Sequence, residues 1–213
     1  MNILVCISSK SPNPFLYDSI ISIHKNQMID NNNYKICVID SDSDDFETYN
    51  KIKHDFPDVD LLFVKNKHYE YGAWDYAHKT YPDYDVYFCM QDSITVERYI
   101  DVSNVDDNNS YCFHHHTGYY FDLEVKQIGI DNLKDSGLNY LPIIDTYFNL
   151  AQHSTFIVNN KTIKDIYNTL KNPPTDKRGS RMYERNFGIY FILKNINTIN
   201  LNDYMSKMNG KRI

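Results

Sequence analysis

No run of apolar residues in this chain approaches the ~20 that cross a bilayer as a helix, so no transmembrane segment is expected. No two of the four cysteines, Cys6, Cys37, Cys89 and Cys112, form a Cys-x-x-Cys pair, which leaves a zinc ribbon or a redox dithiol without support. Each lies in an apolar stretch and reads as a small buried hydrophobe in a reducing compartment. Positive charge is scarce: 22 Lys and Arg stand against 28 Asp and Glu, a net charge of -6 with a pI of about 5.7. Nucleic-acid surfaces need clustered cations to displace counterions, so no nucleic-acid partner is expected. The basic residues are scattered, apart from Lys177-Arg178 with Arg181 and Arg185, and Lys211-Arg212. Also missing is a glycine-rich, basic loop after the first apolar run. Residues 8–14, SSKSPNP, carry no glycine and one lysine, Lys10, which weakens a nucleotidyltransferase reading. The chain opens on an apolar run rather than a charged leader, so no cleaved signal is expected and a soluble, cytoplasmic protein is. The sequons at Asn108 and Asn160 then read as chance in an Asn-rich chain.

What is present is a repeated pattern of short apolar runs that end in polar residues. Residues 84–96, YDVYFCMQDSITV, carry a β-branched and aromatic run that stops at Gln91-Asp92-Ser93. Residues 2–8 (NILVCIS) spill into the loop 8–14; residues 34–39 stop at Asp40-Ser41-Asp42-Ser43-Asp44-Asp45; residues 61–64 stop at Lys65-Asn66-Lys67. The segments 15–26 and 46–55 between them have helical patterns, with Asp44 or Asp45 as the cap of the second. The result is a βαβαβαβ chain and an α/β fold with a mainly parallel sheet flanked by helices. Ligand sites in open α/β sheets lie just beyond the carboxyl ends of the strands, so Ser8, Asp40, Asn66, Gly72 and Asp92 are expected to converge there. With 213 residues and 42% hydrophobic content, one core and one domain, 1–213, are expected.

Residues 101–110, DVSNVDDNNS, read as a surface loop dividing the chain into two halves, about 1–100 and 101–213. Beyond it, residues 111–114, 119–125 and 154–158 have strand patterns and 161–170 a helical one before Asn172-Pro173-Pro174. Residues 175–180, TDKRGS, form a polar segment ahead of a helix over 181–193, either a lid or a plain connector. His114-His115-His116 alternate faces on a strand, so at most His114 and His116 converge; metal ligation by these or by His153 stands beside packing and hydrogen bonding. Trp74 reads as core. Many of the 19 tyrosines read as core too, while those of the second half are also candidates for a sugar-binding groove.

In order and spacing these motifs resemble the nucleotide-sugar-dependent glycosyltransferases of GT-A fold, family 2-like and of the rhamnan-synthesis and algal-virus type. The resemblance lies in VIDSDSDD at residues 38–45, NKHYEYGAW at 66–74, Met90-Gln91-Asp92-Ser93, and the Glu-Arg pair in Met182-Tyr183-Glu184-Arg185. It covers residues 1–100 well and the remainder loosely. It implies a donor half followed by an acceptor half, a UDP-, GDP- or dTDP-sugar as donor, and a glycan or other hydroxyl as acceptor. Asp40, with Asp42, would contact the nucleotide, together with Ser8, Asn66, Gly72 and Gln91. Asp92 would hold Mn2+ or Mg2+, although the usual acidic pair is here Gln91 followed by the single acid Asp92. Transfer would be a single inverting displacement with Glu184 as general base, Asp145 as the alternative, and Arg181 or Arg185 steadying the diphosphate. An ion pair of Glu184 with either arginine is the competing structural role. A non-catalytic sugar- or nucleotide-binding module, and a nucleotidyltransferase, remain rival functions.

Overall fold

A computed structural model of the protein describes residues 1–11, 14–27, 33–44, 46–120 and 122–208. The first half alternates strand and helix: β1 (Asn2–Ser9), α1 (Pro14–Asn26), β2 (Asn33–Ser41), α2 (Glu47–Asp55), β3 (Asp60–Val64), α3 (Tyr69–Thr80), β4 (Val86–Gln91) and β5 (Ile94–Val96). The second half mixes them: β6 (Asn109–His116), α4 (Leu123–Lys134), α5 (Leu141–Ile144), β7 (Asn149–Asn159), α6 (Asn160–Thr169), α7 (Lys177–Leu193), β8 (Asn197–Asn200) and β9 (Met205–Lys207). One seven-stranded sheet runs in the order β3-β2-β1-β4-β7-β6-β8, and β5 pairs with β9 in a separate ribbon. Within the large sheet β7 pairs antiparallel with both its neighbours; the other pairings are parallel. The mainly parallel α/β architecture anticipated from the strand pattern is therefore present.

The central strands are apolar throughout because both faces are covered, as parallel sheets require. On β1, Ile3, Val5 and Ile7 enter the core beneath α1 while Leu4 and Cys6 enter the core beneath α3 and α7. On β4, Val86, Phe88 and Met90 take the first side and Tyr87 and Cys89 the second. All four cysteines are buried and free, and Cys6 lies in register with both Cys37 and Cys89. Trp74 is fully buried, its ring 5.5 Å from that of Phe156. Among the described residues no helix is long and apolar enough to cross a membrane.

Three local expectations change. Residues 119–125 are not a strand: Thr117 and Gly118 turn back to donate to the Phe148 carbonyl, and Asp122 then caps α4 through Val125 N at 3.2 Å. Phe121 lies outside the described residues. Residues 175–180 are not wholly a loop, because Asp176 caps α7 through Gly179 N at 2.8 Å and the helix starts at Lys177 rather than at residue 181. Asp44 does not cap α2, whose flanking residue is Phe46 with no side-chain cap bond. Asp45, Pro12 and Asn13 of the first loop, and Lys211-Arg212 lie outside the described residues.

Candidate active site

The sheet order reverses at β1, with β2 on one side and β4 on the other, and the carboxyl ends of these strands open into a cavity of about 750 Å³. Ser8 and Gln91 sit side by side in register at its floor. Asp42 follows β2, Asn66 and Lys67 follow β3, and Tyr69 and Glu70 begin α3. The opposite wall comes from the second half: His153 on β7, Lys177 and Glu184 on α7, and Lys207 on β9. Of the residues singled out in the sequence, Ser8, Asp42, Asn66, Gln91, His153 and Glu184 thus share one cleft.

The others do not line it. Asp40 is buried at 3% exposure; Oδ1 accepts from the Ser43 hydroxyl and from Tyr49 OH at 2.6 Å, and Oδ2 from Ser43 N at 3.0 Å. Ser43 in turn accepts from Ser11 N, so Asp40 ties the loops after β1 and β2 together and does not itself line the cleft. Gly72 does not offer backbone to a ligand: a Cβ there would stand 2.2 Å from Asn66 Oδ1, so the missing side chain makes room for the Asn66 amide. That amide donates to Ser41 Oγ and Tyr69 O and accepts from His68 N, fixing the turn into α3. Arg185 is buried, donating to Gly118 O and Arg181 O beneath Tyr119, and does not line the cleft. Asp145 is 75% exposed, outside the cleft, and paired with Lys126. Arg181 pairs with Asp122.

Glu184 is held differently. Its Oε1 accepts from His153 N at 3.1 Å, and the nearest arginine nitrogen, Arg185 Nη1, is 3.9 Å from Oε2. Burial pushes the carboxyl up to about 7, against the pull of Arg185. His153 sits in a bulge where β6 and β7 lose register between Cys112 and His114, with φ 55° at His153 and 50° at Ser154. Burial, reinforced by Lys207 and Lys177, holds its imidazole down to about 4, hence neutral at pH 7. Asp42 (φ 69°) and Tyr69 (φ 51°) are also left-handed. Strained non-glycine backbone gathered around one cleft is typical of functional sites.

Sequence reasoning missed four cleft residues in particular: Lys10 as a site group, Lys67, Lys177 and Lys207. Spacing held a signal for one of them, because Lys177, Ser180 and Glu184 fall on one face of a helix that begins at its Asp176 cap. Glu70 was missed too; its Oε1 accepts from Gln91 Nε2 at 2.6 Å and its Oε2 from Ser180 Oγ at 3.0 Å. Gln91 Oε1 then accepts from Lys207 Nζ at 2.6 Å, and Lys207 also donates to Ser93 Oγ.

A divalent ion on Asp92 does not fit this donor set. Hard cations need oxygen ligands that face the site, whereas Asp92 does not line the cleft and its Oδ2 accepts the Ser9 hydroxyl at 3.0 Å within the protein. The neighbouring carboxamide oxygen is turned to a lysine. Among the described residues no three His, Cys, Asp or Glu side chains converge as a metal group. His114 is 2.9 Å from Thr198 Oγ1 and His116 is 3.1 Å from Asn149 Oδ1.

No protein-family model and no curated protein sequence matches the chain. Solved structures do. A mannosyltransferase from Pyrobaculum calidifontis, PcManGT, in complex with GDP-Man and Mn2+, superposes with a TM-score of 0.60 at 11% identity, over 99% of this chain and 58% of that one. TarS of S. aureus superposes with a TM-score of 0.55 at 10% identity, over 98% of this chain and 37% of that one. The chain thus spans less than two thirds of either neighbour. At such identity the likeness is one of fold: this chain has the GT-A-like fold of nucleotide-sugar glycosyltransferases.

Proposed function

We propose that this protein transfers a sugar from a nucleotide diphosphate sugar to a hydroxyl of a carbohydrate acceptor, with inversion. The observation that carries this reading is the placing of Glu184, a carboxyl with its proton affinity raised to about 7, in one cleft with Lys10, Lys67, Lys177 and Lys207. A base tuned near neutral pH and a cationic wall are what a displacement at an anomeric carbon needs. The acceptor oxygen attacks that carbon while its bond to the β-phosphate oxygen breaks. The electron pair leaves on the nucleoside diphosphate, and the hydroxyl proton passes to Glu184. The lysines receive the leaving charge.

In this reading the strand ends of residues 1–100, through Ser8, Asp42, Asn66 and Gln91, hold the donor, and residues 101–213 present the acceptor to Glu184. Asp40, Gly72 and Asp92 act from below by fixing the loops, as their hydrogen bonds and close contacts indicate. No step is routed through a metal, because the donor set does not fit one. Incubation with a panel of UDP-, GDP- and dTDP-sugars and an oligosaccharide acceptor tests the reading. Release of nucleoside diphosphate with a matching gain of one sugar mass on the acceptor supports it. Release of pyrophosphate points to nucleotidyl transfer, and binding without turnover to a binding module.

A further inference from the structure

We infer that Glu70 selects the transferred sugar: its carboxylate accepts two neighbouring hydroxyls of the donor's sugar ring, those on C3 and C4, across the ring from the bond that breaks. The inference rests on the sugar-transfer reading and deepens it.

The turn into α3 puts the carboxylate in place. Asn66 holds that turn through His68 N and Tyr69 O, Tyr69 turns left-handed at φ 51°, and Glu70 then leaves the first turn of the helix on the cleft wall. A helix N-terminus favours a negative side chain there. From this wall Glu70 bridges the two halves of the chain, because Oε1 accepts from Gln91 Nε2 at 2.6 Å and Oε2 from Ser180 Oγ at 3.0 Å. Neither contact is open to reversal. An ammonium only donates, so Lys207 Nζ takes Gln91 Oε1 and turns the amide nitrogen toward the carboxylate, which only accepts.

Two hydrogen bonds do not exhaust a carboxylate, which has about four lone-pair sites. Among the described residues one site on each oxygen remains, and two acceptors on one planar group match two neighbouring hydroxyls. Position ties the group to the sugar. Ser180 and Glu184 lie one turn apart on α7, ~5.4 Å along its axis, so the bond to Ser180 sets Glu70 about one sugar ring away from the base. Burial is the main cause that raises the Glu184 carboxyl and the charge of Glu70 adds to it, which agrees with that closeness. With the anomeric carbon turned toward Glu184, the hydroxyls across the ring meet Glu70. A diphosphate is repelled by a carboxylate, so the phosphates give this residue no role of its own.

Calorimetric titration of UDP and UDP-glucose, GDP and GDP-mannose, and dTDP and dTDP-glucose tests this on wild type and Glu70→Gln. The glutamine keeps the shape, but its single oxygen is needed by Gln91 and its nitrogen cannot accept. The variant is expected to bind the matching nucleotide sugar at least about tenfold more weakly, and the nucleoside diphosphate no more weakly than wild type, since a repelling charge is gone. The 3-deoxy and 4-deoxy forms of that nucleotide sugar should bind wild type more weakly and lose little further on Glu70→Gln, a coupling that a merely structural role would not give. The deoxy forms on wild type alone decide the matter where Glu70→Gln fails to fold. Undiminished binding of the deoxy forms overturns the inference, as does a folded variant that keeps its nucleotide sugar affinity or loses nucleotide sugar and nucleoside diphosphate alike. A wild type that binds nucleoside diphosphates but none of these sugars overturns it too, and leaves the sugar-transfer reading standing. A wild type that binds neither overturns that reading first, and this inference with it.

Discussion

A carboxyl with a raised pKa is a liability to the fold at high pH and an asset to a reaction, and Glu184 is such a group. Its unperturbed value of 4.5 becomes about 7 in the folded protein, chiefly by burial. The folded state therefore holds that proton more tightly than the unfolded one. The stability it contributes is complete below about pH 4.5 and is lost as pH rises through about 7. Glu184→Gln cannot ionise, so above pH 7 the variant should melt no lower than wild type. Its turnover should fall by roughly two to four orders of magnitude with donor affinity kept, the size of a lost general base. Wild-type turnover should rise with pH to a plateau above about 7. Melting curves and pH–rate profiles on one preparation check both; a lowered melting temperature with turnover retained would assign Glu184 to structure. At this scale the sequence was legible where a residue type and a strand end sufficed, as for Ser8, Asn66 and Gln91. It did not disclose which way Asp92 turns: Gln91 lines the cleft, while the Asp92 carboxylate is buried against Ser9. At Asp40 the carboxylate serves Ser43 and Tyr49, contacts that no local pattern announces.

Two elements, α7 and β7, position that carboxyl, and their contact is unusually close. A Cβ on Gly188 would stand 2.4 Å from Asn149 O and 3.0 Å from Leu150 Cα, so the helix lies directly on the strand's backbone. The bulge of β7 then brings His153 N to Glu184 one turn of helix away. Gly188→Ala must push the helix off the strand, at a cost of about 1–3 kcal/mol, and should lower turnover more than donor affinity, since the floor of the cleft is untouched. Calorimetric melting with kcat and KM measured side by side checks this; wild-type stability would show that the contact yields freely. The early elements were legible because buried parallel strands are continuous apolar runs and α1 repeats Leu16, Ile20 and Ile23 toward the core. The start of α7 was hidden by its polar first turn, Lys177 to Ser180, whose helical state depends on the Asp176 cap. The three-residue strands β5 and β9 were hidden because so short a pairing carries no period of its own.

Over the whole molecule, a net charge of -6 surrounds a cleft in which four lysines face three carboxyls, Asp42, Glu70 and Glu184. In an acidic protein, a cavity whose four lysines outnumber its three carboxyls favours an anionic ligand there over the remaining surface. The matching donor should stabilise the native state by about 2.7 kcal/mol at a hundredfold excess over its dissociation constant. For a chain of this length that is a rise in melting temperature of roughly 5–11 °C. Because part of the attraction crosses solvent, raising ionic strength from about 0.05 to about 0.5 M, about a threefold shortening of the screening length, should shrink the rise. The nucleoside without phosphates should give a much smaller rise and little salt dependence, since it has no charge for Lys10, Lys67, Lys177 and Lys207 to meet. Equal shifts for nucleoside and nucleoside diphosphate would mean that the lysines do not face the phosphates, and the donor would then have to lie elsewhere along the strand ends.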